Sequence, residues 1–81
     1  MGIYLVKGIS AVTPGYVILA CASMARAEIE AAELVNILIA EAGYEDTEAG
    51  DWISRLGRLW LRRPEWRDEC DVSIDHVELL G

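Results

Sequence analysis

Phenylalanine is absent from this 81-residue chain, and there are two prolines, two cysteines, one histidine and one lysine. Each shortage excludes something. Without phenylalanine, the core has to be assembled from valine, isoleucine, leucine and alanine, helped by three tryptophans and three tyrosines. Two cysteines are too few for a disulfide framework. Cys21 sits in an apolar run and Cys70 in an acidic loop, with no CxxC or Cys/His metal spacing. The expectation is a buried, inert thiol at Cys21 and a surface thiol at Cys70, in a reducing cytoplasm. His76 stands alone, and no serine or cysteine is tied to it by spacing. Asp75-His76 therefore reads as structural rather than as part of a triad. There is no P-loop, GxGxxG or metal cluster, and the carboxylates have no apolar pocket evident in sequence. The reading is a non-enzyme with no cofactor.

Long apolar runs are also missing. None approaches membrane-spanning length. Residues 16–21 (YVILAC) loosely suggest a lipoprotein signal ending at Cys21, but Lys7 is the only basic residue ahead of them and Pro14-Gly15 interrupts the segment. The chain reads as one domain, residues 1–81, just large enough to fold without staples.

The longest periodic stretch is residues 23–43 (SMARAEIEAAELVNILIAEAG). At 100° per residue, Ala27, Ala31, Leu34, Val35, Leu38, Ile39 and Ala42 share one arc, opposite Arg26, Glu30, Glu33 and Glu41. Ser23 is the expected N-cap and Gly43 the expected left-handed terminator. Three alanines on the buried arc suit close approach to a flat partner such as a β-sheet. Ile29 and Ile37 fall off the arc, either covered by a second element, simply exposed, or used in an intermolecular contact.

Residues 3–6 (IYLV) predict a strand that continues irregularly past Gly8. Thr13-Pro14-Gly15 has the chemistry of a type II turn within a slightly longer loop. Residues 16–22 (YVILACA), apolar nearly throughout, predict a second strand that is central or well covered. Asp46 or Thr47 is the expected cap of a second helix ending near Arg62, with Trp52, Ile53, Leu56, Leu59 and Trp60 as its apolar set and Pro64 as its stop. Gly50 and Gly57 weaken that helix by roughly 1 kcal/mol each relative to alanine. Residues 72–79 (VSIDHVEL) alternate and then shift phase, which predicts a third strand with a bulge or bend near His76. Together these give an α+β fold in ββααβ order: a three-stranded antiparallel sheet with one helix across a face and a second at its side.

Charge is segregated within the net −7. Residues 28–51 hold Glu28, Glu30, Glu33, Glu41, Glu45, Asp46, Glu48 and Asp51 and no base; residues 55–67 hold Arg55, Arg58, Arg62, Arg63 and Arg67 with Glu65 as the one acid. Arg55, Arg58 and Arg62 recur on one stripe of the second helix. Three readings fit it: a solvated face partly paired with the glutamates of the first helix, a docking surface for an acidic protein, or a nucleic-acid site with Trp66 stacking. The surrounding acids repel phosphate, which disfavours direct nucleic-acid binding. The acidic face, Glu30, Glu33, Glu41, Glu45 and Asp46, is instead suited to a basic groove that normally holds nucleic acid.

The segments IYLV, YVILACAS and an alanine-rich helix opening resemble a pattern found in small orphan proteins of bacteriophages and mobile elements, among them some anti-CRISPR proteins. The resemblance covers about half of the chain and is one of architecture. It implies a stoichiometric inhibitor that works by binding. The arginine-rich second helix lies outside that pattern. The expectation is therefore a small acidic interaction protein that blocks a nucleic-acid-handling complex through its charged surface. The alternative is a self-associating structural or adaptor module, dimerising through a sheet edge or the Trp60/Leu61/Trp66 region. A nucleic-acid binder using Arg55, Arg58, Arg62 and Trp66 stands third.

Overall fold

The computed structural model describes residues 2–10 and 15–78. It has the α+β architecture and the ββααβ order read from the sequence. Strands β1 (Gly2–Ser10), β2 (Gly15–Cys21) and β3 (Asp71–Glu78) form one antiparallel sheet in the order β2-β1-β3. Helix α1 (Met24–Ala42) crosses one face of it, and α2 (Trp52–Arg62) packs beside α1; a 3-10 turn, Pro64–Trp66, follows α2. The predicted turn at residues 13–15 and the end of the third strand at Leu79 fall wholly or partly outside the described residues.

Helix α1 forms as its periodicity dictates. The Ser23 hydroxyl accepts from the Arg26 amide at 3.2 Å, and Gly43 closes the helix at φ 78° with its N–H donating to the Ala40 carbonyl. Ala27, Ala31, Val35, Leu38, Ile39 and Ala42 are buried. The small residues let the helix axis approach the sheet, and β1 meets it with a residue that has no side chain at all. A methyl group on Gly8 would come within 3.0 Å of the Leu34 side chain.

Strand alternation assigns the two sheet faces. Val6 and Gly8 of β1 lie opposite Leu19 and Val17 of β2 and Ile74 and Val72 of β3, all on the α1 side. The other face carries Ile3, Leu5, Lys7 and Ile9, flanked by Tyr16, Ile18 and Ala20 and by Ser73, Asp75 and Val77. Nothing among the described residues covers that second face. The molecule has two layers and is 15 Å through its thinnest direction.

Four expectations are corrected. Strand β2 is an edge strand and β1 the central one; Val17, Leu19 and Cys21 of β2 lie on the α1 side, with Val17 still exposed, and Tyr16, Ile18 and Ala20 are exposed on the other face. Strand β3 has no bulge: its register with β1 is unbroken from Gly2↔Glu78 to Ile9↔Asp71. The apparent phase shift arises because Val77 belongs to the open face, opposite Ile3. Helix α2 is capped by Asp51, whose carboxylate accepts from the Ser54 amide at 2.9 Å. A cap at Asp46 or Thr47 would require the helix to run through Gly50, which has φ 151°. Cys70, finally, is buried under α2, where its carbonyl accepts from the Trp60 indole at 3.1 Å.

Candidate partner-binding surfaces

The five acids of the predicted face have different fates. Asp46 is turned inward: its carboxylate is 3% exposed and accepts from Arg55 Nε at 3.2 Å and from Arg58 Nε and Nη2 at 3.1 and 2.9 Å. Hydrogen bonding from Arg58, reinforced by Arg55 and the Glu48 amide, holds its pKa below the usual carboxylate value against the opposing effect of burial. The same bond raises the Arg58 pKa. Glu41 accepts from the Ser10 hydroxyl at 2.6 Å, tying the last turn of α1 to β1. Glu30 is paired with Arg26 one turn earlier at 2.6 Å, and its side chain is 17% exposed. Glu33 and Glu45 stand exposed, as do Glu28 and Glu48.

The arginine stripe is not a free surface. Arg55 bonds both Asp46 and the Asn36 side-chain carbonyl of α1. Arg58 adds the Glu48 carbonyl at 3.1 Å to its two bonds with Asp46. Arg62 lies over the Tyr44 ring, 4.5 Å from its centroid. All three reach residues 44–48, the linker between the helices. Pairing with the glutamates of α1, one of the sequence readings, does not occur at these arginines; the acids come from the linker. Arg63 donates to the Ala42 carbonyl at 2.9 Å, which satisfies an end group of α1. Trp66 is half-buried against the core, and Arg67 lies over Trp60. Burial, together with the negative charge of Asp46, pushes the Tyr44 hydroxyl pKa up, while the neighbouring arginines oppose this. The ring therefore stays neutral beneath Arg62.

Compared with protein-family models, curated proteins and solved structures, the chain matches none. Its surfaces must be read from their own chemistry.

Asp75 and His76 point to opposite faces of β3. Asp75 pairs with Lys7 at 2.6 Å on the open face, and this hydrogen bond raises the lysine pKa. His76 stacks on Tyr4 with ring centroids 4.8 Å apart on the other face. The two neighbours in sequence cannot share a proton.

Two apolar surfaces were missed in the sequence. One is the open sheet face, where Ile9, Tyr16 and Ile18 are 43%, 59% and 51% exposed. The other is a groove of about 180 Å³ between β1, β2 and α1, lined by Gly8, Val17, Leu34, Ile37, Leu38 and Val72 among others. Gly8 and Leu34 both line it, and a methyl group on Gly8 would press on the Leu34 side chain at 3.0 Å. The signals were present in the off-arc Ile37 and in the uninterrupted apolarity of β2, but both were equally consistent with burial. Among the described residues, no helix is long and apolar enough to cross a membrane.

Proposed function

We propose that this is a non-catalytic cytoplasmic interaction protein, a phage-type inhibitor of the anti-CRISPR kind. It occupies a basic surface of a nucleic-acid-handling protein complex. The observation that carries the reading is the way Asp46 draws Arg55 and Arg58 onto itself. Two of the arginines that could neutralise the glutamates of α1 are thereby held at the linker. Glu33 and Glu45 are exposed on a segment, residues 28–51, that contributes no base of its own and that Arg55 reaches at Asn36. A carboxylate array of this type complements a groove built to hold phosphate, and complementary charge raises the rate of encounter and selects the partner. The two cysteines are buried and form no disulfide, which suits a reducing compartment.

The test is capture of partners from a bacterial lysate, with and without nuclease, comparing the wild type with a Glu33→Gln/Glu45→Gln variant. Both positions are exposed, so the variant should keep its circular dichroism spectrum. A basic partner that resists nuclease and is lost with the variant is the expected result. A partner that binds the variant equally well would exclude the acidic surface. Partners that disappear with nuclease would transfer the role to the arginines.

A further inference from the structure

The two edges of the sheet are built differently. An edge strand offers unpaired backbone N–H and C=O groups, and proteins commonly guard such edges with charge, proline or bulges. Strand β3 is guarded: it carries Asp71, Asp75, His76 and Glu78 within eight residues. Strand β2 (GYVILAC) carries no charge or proline. The uncharged stretch extends across residues 8–25, in a chain whose remaining residues hold all of its net −7.

We infer that β2 is an interface for a second copy of this chain, pairing antiparallel with β2 of that copy to form a continuous six-stranded sheet. Charge selects this occupant. Two molecules of net charge −7 repel wherever carboxylates face each other. The uncharged β2 edge is a place where copies can meet with no acid from either strand in the contact. An antiparallel pair of identical strands also satisfies two-fold symmetry, the commonest arrangement of homo-oligomers. The adjoining surface fits such a partner. Ile18, at the two-fold axis, meets its own counterpart on the open face, and Tyr16 lies opposite Ala20 of the other copy. On the helix side, Val17 and Leu19 of the incoming strand lie beside Ile37, which is 53% exposed, and over the groove bounded by Val17 and Leu34. A seven-residue ladder is at the small end of specific interfaces, below about 1,200 Å² in total, so the association is reversible and concentration-dependent. Strand β2 contains neither Glu33 nor Glu45, although Glu33 lies one turn from Ile37 on α1; solution mass and partner capture are read separately, so either assignment can fail alone.

The experiment is solution mass by sedimentation or light scattering over a wide concentration range, with amide hydrogen exchange at the same concentrations. The mass should rise from 9.0 kDa toward twice that value. Ile18→Lys should weaken the dimer by roughly tenfold or more, since it places like charges near the axis and removes an apolar contact. Leu61→Lys, at a position 83% exposed on α2, should leave the mass unchanged. Exchange requires no variant: amides of β2 should slow as concentration rises, while those of β3 should not. A monomer at every concentration would overturn the inference. So would a dimer that withstands Ile18→Lys but dissociates with Leu61→Lys, or β2 exchange that is independent of concentration.

Discussion

The two helices are attached to the same molecule by different forces. Helix α1 buries six residues and meets the sheet through alanines and the gap at Gly8. Helix α2 buries two, Leu56 and Leu59, and is otherwise held by directed contacts. These are the Asp46 clamp, the Trp60 indole on the Cys70 carbonyl, the Arg63 bond to the end of α1 and the Arg62–Tyr44 stack. Burial is non-directional and depends little on pH or salt, whereas charge-assisted hydrogen bonds depend on both. Helix α1 therefore defines the fold, while α2 is the element whose attachment solution conditions can alter.

The largest effect should come from breaking the apolar attachment. Leu38→Ala removes a side chain that is 4% exposed at the centre of the α1 contact. It should cost about 2–5 kcal/mol by urea unfolding, with a penalty that is the same at low and high salt. A salt-dependent penalty would contradict the division between the helices.

Asp46→Asn should have a smaller effect, of a different character. Because the folded state holds the Asp46 pKa below its ordinary value, the folded chain binds fewer protons than the unfolded chain across that interval. The contribution to stability is present above the unfolded pKa and is lost as pH falls through the folded one. Wild-type stability should therefore decline toward acid more steeply than that of the asparagine variant, and the two curves should converge at low pH. Hydrogen exchange should show α2 amides opening more readily in the variant, with α1 unchanged. Parallel curves would mean that Asp46 is not the acid-sensitive group.

Arg62→Ala should have the smallest effect, about 0.5–1 kcal/mol, the range for an exposed cation–π contact. It should also loosen the end of α2 rather than the whole domain. Uniform loss of protection would show that the two helices open as one unit.

How much of this was legible in the sequence follows the same division. Helix α1 was readable in full, caps included, because its signal is local: periodicity, Ser23 before it and Gly43 after it. The three strands and the α+β class were readable for the same reason. The neighbours of β2 were not. Apolarity on both sides of a strand describes a buried strand and an uncovered one equally, and only the pairing with β1 tells them apart. The fate of the candidate site was hidden by sequence distance. Asp46 meets Arg55 and Arg58 across 9 and 12 residues, and Glu41 meets Ser10 across 31. Composition identified an acidic surface and an arginine stripe, but it could not show that one acid would immobilise two of the arginines. Cys70 was misjudged because its neighbours in sequence are acidic while its neighbours in space are apolar.

Those two thiols give the protein a pair of native chemical clocks. Cys21 is at the far end of β2, and Cys70 lies under α2 at the entry to β3; they are 6% and 1% exposed. Each becomes reactive only when its own part of the structure opens. The rate at which a thiol reagent modifies each cysteine, resolved by peptide mass, therefore times two separate openings in one unmodified molecule. After correction for the smaller thiolate fraction that acid leaves at any thiol, acid should speed the opening reported by Cys70 relative to that reported by Cys21, since the release of Asp46 frees the helix that covers it.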